Sequence, residues 1–131
     1  MAEHREVKVT PDRYVTYRYA GASGDFNPIH LDDEFARSVG LPGKILHGLW
    51  TMAQVARVQS EDPLALKSLS VQFRGLGVPE KEITITSKPG EDGVVAVEAV
   101  QDGNKLVRRG KAVLRDPAGH LGPPVDSGGA S

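Results

Sequence analysis

The hydrophobic and polar positions of the first thirty residues predict a strand, a helix and a loop. Residues 3–10 alternate between charged and apolar side chains, which is the period of a half-buried strand. Thr10 and Pro11 then predict a helix start, because threonine is a common N-cap and proline is tolerated at the first helical position. Gly21 is the predicted end of this helix. The loop follows over residues 22–30, where a proline excludes a continuous regular helix.

Two further helices are predicted before the middle of the chain. Asp32 is expected to cap a short helix that runs through Val39, with Phe35 and Val39 turned inward. Residues 45–58 are dense in apolar side chains and predict a helix that is buried on most of its circumference. Such a helix has to be covered by something, most simply by a sheet that curls around it. Its apolar positions include Leu49, Met52, Ala53 and Ala56.

The second half of the chain supplies that sheet. Alternating or β-branched segments predict four strands, at residues 66–74, 82–87, 94–100 and 106–114. Asp102-Gly103 between the last two is typical of a type I′ hairpin. With the first strand this makes an α+β fold of about five mostly antiparallel strands around a central helix. The single domain covers residues 1–115, and we expect residues 116–131, rich in Pro, Gly and Ser, to form a disordered tail. Because one such sheet leaves edge strands and apolar surface uncovered, we expect a dimer.

Composition removes several classes of function. The chain has 16 Lys and Arg against 17 Asp and Glu and no basic run, which argues against nucleic acid or an anionic membrane as a partner. It has no cysteine, so disulfides, thiolate nucleophiles and cysteine metal sites are excluded. The N-terminus lacks the apolar core of a signal peptide, and no apolar run approaches the roughly 20 residues that span a bilayer. We expect a cytoplasmic protein.

Acid–base groups are concentrated in residues 25–30. The carboxylate of Asp25, the amide of Asn27 and the imidazole of His30 lie on a bent backbone that can turn them toward one point. His30 is suited to proton transfer near neutral pH, and Asp25 can share one water molecule with it. Gly48 opens the central helix, so its N–H has no intrahelical partner and can stabilise an oxyanion. Addition of water to a double bond conjugated with a thioester carbonyl needs these two components and no cofactor.

Each of these residues also has a simpler structural interpretation. Asp25 and Asn27 are typical turn and capping residues, and His30 could be a half-buried, hydrogen-bonded histidine. His47 is expected to pack or hydrogen-bond at the entry to the central helix. Asp25, His30 and His47 could also be proposed as metal ligands. Their spacing matches no metal-site pattern, so we expect no metal.

The motif SGDFNPIHLDDEFA, preceded by YAG and followed by HGLWTM, resembles the MaoC-like hydratase/dehydratase family of the hot-dog superfamily. The resemblance covers about residues 7–114. It implies that Asp25 and His30 form a catalytic dyad and that Gly48 supplies the N–H of an oxyanion hole. The implied fold is a single hot-dog unit, with a long helix wrapped by an antiparallel sheet. The resemblance also implies dimers whose sheets join.

The resemblance implies a hydro-lyase that interconverts trans-2-enoyl thioesters and (R)-3-hydroxyacyl thioesters of CoA or acyl-carrier protein, without a cofactor. Asn27 and His47 would support the site, and Ala56 replaces a serine that some family members carry near it. The partner would be an identical chain or another hot-dog subunit. In the second case the chain would be the catalytic subunit of a heterodimeric 3-hydroxyacyl-thioester dehydratase. The further alternatives are a hot-dog thioesterase and a non-catalytic acyl-binding subunit, and the acyl chain length stays open.

Overall fold

The computed structural model describes residues 4–115, so the predicted tail at 116–131 lies outside the described residues. The first half contains one strand and three helices: β1 (Arg5–Val9), α1 (Val15–Ser23), α2 (Asp33–Ser38) and α3 (Gly48–Arg57), with a 3₁₀ turn at Pro28–His30. A second 3₁₀ turn at Pro63–Ala65 leads into four strands: β2 (Leu66–Phe73), β3 (Ile83–Pro89), β4 (Val94–Gln101) and β5 (Asn104–Leu114). Every predicted strand is therefore present.

All five strands form one antiparallel sheet in the order β1-β3-β4-β5-β2. The sheet is held in register by its alternating buried positions, such as Ile83 and Ile85 on β3. The predicted hairpin is confirmed, because Asp102 and Gly103 adopt φ 50° and 76° between β4 and β5. Positive φ at both central positions defines the type I′ turn, whose twist matches that of the strands. β1 and β2 are left as the two sheet edges.

Helix α3 packs on one face of the sheet, against β2, β4 and β5. Thr51 and Val55 are its buried residues, and Val55 joins the main apolar core with residues from β3, β4 and β5. The expectation of burial around most of the helix is wrong, because Leu49 is 60% exposed and Ala53 is exposed as well. A sheet of five strands covers only one side of the helix, and no other element of the described residues covers the opposite side. Within the described part of the chain no helix is long and apolar enough to cross a bilayer.

The boundaries of α1 differ from the prediction at both ends. The helix does not start at Thr10, because the carboxylate of Asp12 accepts the backbone N–H of Tyr14 at 2.8 Å and organises a later start. It also continues through Gly21, which lies in helical conformation. Gly24, with φ 82°, ends the helix in the left-handed conformation that glycine adopts without strain. The segment that carries Asp25 therefore begins with this glycine turn.

Helix α2 is capped as predicted, but it faces the core through a different residue. Asp32 accepts the backbone N–H groups of Glu34 and Phe35 at 2.9 and 3.2 Å, which satisfies two free donors of the helix start. Phe35 and Val39 are not turned inward, since they are 40% and 55% exposed. Ala36 is fully buried instead. A helix of less than two turns presents only a narrow face, and a small alanine lets it pack closely.

Candidate active site

The loop that carries Asp25 is shaped by its own polar side chains. One carboxylate oxygen of Asp25, Oδ1, accepts the backbone N–H of Asn27 at 3.3 Å. Asn27 in turn accepts the backbone N–H of Ile29 at 3.2 Å and so caps the 3₁₀ turn that contains His30. The turn and capping interpretation of Asp25 and Asn27 therefore describes their local bonds. It leaves the second oxygen of Asp25, Oδ2, free to face His30.

The imidazole of His30 is buried and its tautomer is fixed by its partner. Nδ1 lies 2.9 Å from the carbonyl oxygen of Ile45. Since a carbonyl can only accept, Nδ1 carries the hydrogen, and Nε2 of the neutral ring keeps its lone pair. That Nε2 faces Oδ2 of Asp25 at 3.8 Å, which is too far for a direct hydrogen bond.

His30 Nε2 and Asp25 Oδ2, 3.8 Å apart, are both proton acceptors while His30 is neutral. They therefore do not bond to each other across this gap. A water molecule can donate one hydrogen to each of them. The side chain of Asp25 is 53% exposed, so water can reach the gap from solvent. This geometry is the one that an acid–base pair needs to hold a water molecule and take a proton from it.

Gly48 is the first residue of α3, and its N–H has no intrahelical acceptor. Among residues 4–115 no other acceptor is bonded to it. The partial positive charge of the helix N-terminus adds to this donor. A Cβ at this position would lie 3.3 Å from ring carbons of Phe73, so glycine also keeps the approach to the N–H open.

A cleft of about 220 Å³ joins His30 to Gly48. Asp25 does not line this cleft; it lies beside His30 at its edge. The cleft therefore offers a place for a substrate carbonyl at the helix N-terminus, with the acid–base pair next to it. Its other walls include Leu46, Thr51, Phe73, Arg74 and Leu76.

His47, which precedes Gly48, contacts both members of the acid–base pair. Its Nε2–H donates to the backbone carbonyl of Asp25 at 3.1 Å. Its ring stacks on that of His30, with centroids 3.8 Å apart and planes inclined by 19°. Tyr19 packs against the same ring at 4.8 Å. Burial lowers the pKa of His47, and the neighbouring His30 lowers it further although the Asp25 carbonyl opposes this.

The same three residues are the strongest candidates for metal ligands among residues 4–115. Ligand atoms of Asp25, His30 and His47 lie within 4.8 Å of one another. The two imidazoles are nearly parallel, however, so their in-plane lone pairs do not converge on one point. One nitrogen of each ring already donates to a carbonyl. The arrangement suits proton transfer better than tetrahedral coordination.

The sequence analysis did not identify several residues that lie near the site. Tyr19 stands in the motif, but nothing in its spacing indicates contact with His47. Thr51 could have been found, because it lies one turn after His47 on the same helix face. Phe73 and Arg74 reach the cleft from the end of β2, which local sequence does not indicate. Ala56 is not part of this cleft and lines a separate depression near Val58.

The fold and the site together define a class of protein. It is a hot-dog domain in which a carboxylate and an imidazole lie beside the N-terminus of the central helix. The profile of the MaoC like domain matches residues 1–111 of the sequence. The chain belongs to the MaoC-like domain family.

Known proteins with similar sequence or structure agree with this assignment. Enoyl-CoA hydratase 2, peroxisomal, of Arabidopsis thaliana is 34% identical over 117 residues, which cover 84% of this chain and 36% of that protein. A MaoC-like dehydratase from Phytophthora capsici has a TM-score of 0.82 at 29% identity, covering 89% of this chain and 42% of that one. The (R)-hydratase from A. caviae shares the fold, with a TM-score of 0.74 at 18% identity, covering 86% and 93% of the two chains. The chain spans about a third of the length of the curated relatives that it matches first.

Proposed function

We propose that this chain is a hydro-lyase that interconverts trans-2-enoyl thioesters and (R)-3-hydroxyacyl thioesters. The observation that carries the proposal is the pair of facing acceptors, His30 Nε2 and Asp25 Oδ2, 3.8 Å apart. The free N–H of Gly48 lies in the cleft that His30 lines. Membership of the MaoC-like family supports the same reaction.

In the hydration direction, the thioester carbonyl accepts the N–H of Gly48 at the start of α3. Water held between Asp25 and His30 forms a bond to the β carbon and gives up one proton to the pair. The electrons of the double bond move to the α carbon, and the negative charge on the thioester oxygen is stabilised by Gly48. A proton from the pair then adds to the α carbon. Dehydration follows the same steps in reverse.

The protein residues supply the whole of this chemistry. Proton transfer by a positioned pair contributes about 10²–10⁴-fold in rate, and an oxyanion donor contributes about 10²–10³-fold. Asn27 keeps the loop in shape through its bond to Ile29. No step requires a redox cofactor or a metal ion.

We further propose that a second hot-dog unit completes the site, either an identical chain or another hot-dog subunit. Large apolar side chains that directly follow two of the site residues are exposed: Phe26 after Asp25 and Leu49 after Gly48. β2, whose end reaches the cleft, is a sheet edge with one side unpaired among residues 4–115. The Phytophthora relative is more than twice as long as the matched region, which leaves room for a further unit in that protein.

The thiol carrier, CoA or acyl-carrier protein, and a cytoplasmic location belong to the same proposal. The absence of cysteine is compatible with a reducing compartment but does not choose one. The Arabidopsis relative carries the word peroxisomal in its name.

The proposal is tested by incubating the purified chain with crotonyl-CoA and following the enoyl absorbance. We expect the absorbance to fall, with (R)-3-hydroxybutyryl-CoA as the product and no release of free thiol. His30→Gln should lower the rate by at least 10²-fold, because the amide cannot take up a proton. Release of free CoA with the enoyl group intact would instead identify a thioesterase. A series of longer enoyl-CoA substrates, run in parallel, defines the acyl chain length.

A further inference from the structure

His47 occupies a position where a helix usually has a different residue. It is the N-cap of α3, where Ser, Thr, Asp or Asn stabilise the helix by accepting a backbone N–H. The side chain of His47 makes no such capping bond. It is 2% exposed, and its Nδ1 is buried without a hydrogen-bond partner in the described residues. A residue that leaves the helix uncapped and buries a free nitrogen is poorly explained by helix stability alone.

We propose that His47 is a positioning residue that sets the separation between Asp25 and His30. This inference rests on the proposed function, because it assigns a role toward the same acid–base pair. His47 bonds to the backbone carbonyl of Asp25 and not to Asp25 Oδ2 or His30 Nε2, so it acts by holding the two residues in place.

The imidazole of His47 contacts both Asp25 and His30. The hydrogen bond from His47 Nε2–H to the Asp25 carbonyl holds the backbone of a half-exposed loop. The stack on His30 limits rotation of that imidazole about its side-chain bonds. Because Nδ1 of His30 is already bound to Ile45, the stack fixes the direction in which Nε2 points. A displacement of about 1 Å in a catalytic group can lower a rate by about 10²-fold, so we expect the loss of either the hydrogen bond or the stack to lower the rate.

The hydrogen bond to Asp25 also defines the protonation state of His47. Its Nε2 must carry the hydrogen, because the Asp25 carbonyl only accepts. The groups that face the ring are Asp25, His30 and the phenol of Tyr19. A second proton on the buried Nδ1 would place a cation against His30 and oppose proton uptake there.

Three variants distinguish the effect of the hydrogen bond to Asp25 from the effect of the stack on His30. His47→Phe keeps a ring for the stack but loses the hydrogen bond to Asp25. His47→Gln keeps a donor but loses the stack. We expect each to lower kcat for crotonyl-CoA by about tenfold, and His47→Ala by about 10²-fold, with KM changed by less than about twofold. A control, Gln59→Leu, removes a buried residue at the other end of α3 that bonds to Val55 and Ser87. It should lower the melting temperature and leave kcat unchanged.

A double-variant cycle tests whether His47 acts through the acid–base pair. In the Asp25→Asn background we expect His47→Ala to lower kcat by less than threefold, because the pair that it positions is already disabled. An equal, multiplicative loss in both backgrounds would overturn the proposal. So would a His47→Ala enzyme with normal kcat, or one whose loss appears in KM alone.

A readout without turnover keeps this inference separate from the proposed function. In ¹⁵N NMR of the imidazoles at neutral pH, we expect His47 as the neutral Nε2–H tautomer and His30 as the Nδ1–H tautomer. In His47→Ala, the signals of His30 should broaden or shift toward a mixture of tautomers. A charged or Nδ1–H His47 in the wild type, or an unchanged His30 in the variant, would overturn the positioning role even if the enzyme is an active hydratase. A protein with these tautomers but no hydratase activity would contradict the proposed function alone.

Discussion

At the scale of single residues, the two carboxylate oxygens of Asp25 have different surroundings. Its Oδ1 accepts the N–H of Asn27 and shapes the turn, while Oδ2 faces His30 Nε2 at 3.8 Å. The two ring nitrogens of His30 also have different surroundings. Nδ1 is hydrogen-bonded to the carbonyl of Ile45, and Nε2 faces Asp25. These bonds fix which atoms remain available for proton transfer.

The first prediction concerns Gly48. In Gly48→Ala the new Cβ would meet the ring of Phe73 at 3.3 Å and stand beside the N–H. Because that ring is partly exposed, it can move, so the variant should fold with a nearly unchanged melting temperature. We expect kcat/KM for crotonyl-CoA to fall by about 10²-fold, because the Cβ would keep the thioester oxygen from reaching the N–H of residue 48.

The Gly48→Ala/Phe73→Leu double variant is the matched control. If the Cβ acts by obstructing the carbonyl, removal of the ring will not restore activity. Recovery to near the wild-type rate would show that a displaced Phe73 caused the loss. It would also contradict the claim that a Cβ at residue 48 obstructs the approach to its N–H.

The second prediction concerns the pH dependence of stability through His47. Burial holds its pKa in the folded state below the ordinary value, so the unfolded protein binds more protons in that range. This contribution to stability is complete above the ordinary histidine value of about 6.5 and is lost as pH falls below it. Urea unfolding at pH 7.5 and pH 5.5 should therefore show a smaller stability loss in His47→Phe than in the wild type. An equal loss in both proteins would contradict the assignment.

At the scale of elements, short-range signals were predicted well and long-range contacts were not. Asp32 at the start of α2 and Asp102-Gly103 between β4 and β5 were found because the bonds that explain them span a few residues. The predicted start of α1 was wrong because Asp12 accepts the backbone N–H of Tyr14 in a turn before the helix, which begins at Val15. The proximity of Asp25, His30 and Gly48 was inferred from a motif, whereas the stack of His47 on His30 needed the folded chain.

The third prediction concerns the connection between α2 and α3. Asp33 accepts the backbone N–H of Lys44 at 2.8 Å and its ammonium at 3.0 Å, which ties α2 to the segment before the active-site helix. The bond from the backbone N–H of Lys44, and after it the bond from the ammonium, hold the pKa of Asp33 below its usual value. Asp33→Asn should lower the melting temperature at pH 7 by only a few degrees, because the pair is partly exposed.

The pH dependence of Asp33→Asn provides the check. The stabilisation from the charged carboxylate is present above the ordinary aspartate pKa of about 3.9 and is lost as pH falls through the lowered value. The two melting temperatures should therefore converge in acid. A difference that persists there unchanged would show that the ion pair is not its source.

At the scale of the whole molecule, α3 is left open on one side. The density of apolar residues in the sequence predicted burial around the helix, but it could not show which side the sheet covers. Leu49 is the clearest case, since it lies on the active-site helix and is 60% exposed in the single chain. We propose that the second hot-dog unit covers this side of the helix, which would remove Leu49 from water.

The fourth prediction concerns this assembly. Sedimentation of the purified chain should show a dimer, and Leu49→Glu should shift it toward the monomer. The control is Val39→Glu, which places the same charge at a comparably exposed apolar residue after α2. A wild-type chain that stays monomeric at all concentrations would contradict the homodimer and direct the search to a different hot-dog subunit. Equal dissociation in both variants would contradict the assigned surface.

The central claim is that Asp25 and His30 deprotonate one shared water molecule, and a matched pair of variants tests it most directly. Asp25→Asn keeps the acceptor for the turn and removes the base. Asp62→Asn makes the same change at an aspartate that caps a turn through the N–H of Leu64, outside the cleft. We predict that Asp25→Asn lowers kcat/KM for crotonyl-CoA hydration by at least 10²-fold, while Asp62→Asn stays within about twofold of the wild type. Wild-type kcat/KM in a folded Asp25→Asn protein would contradict the account.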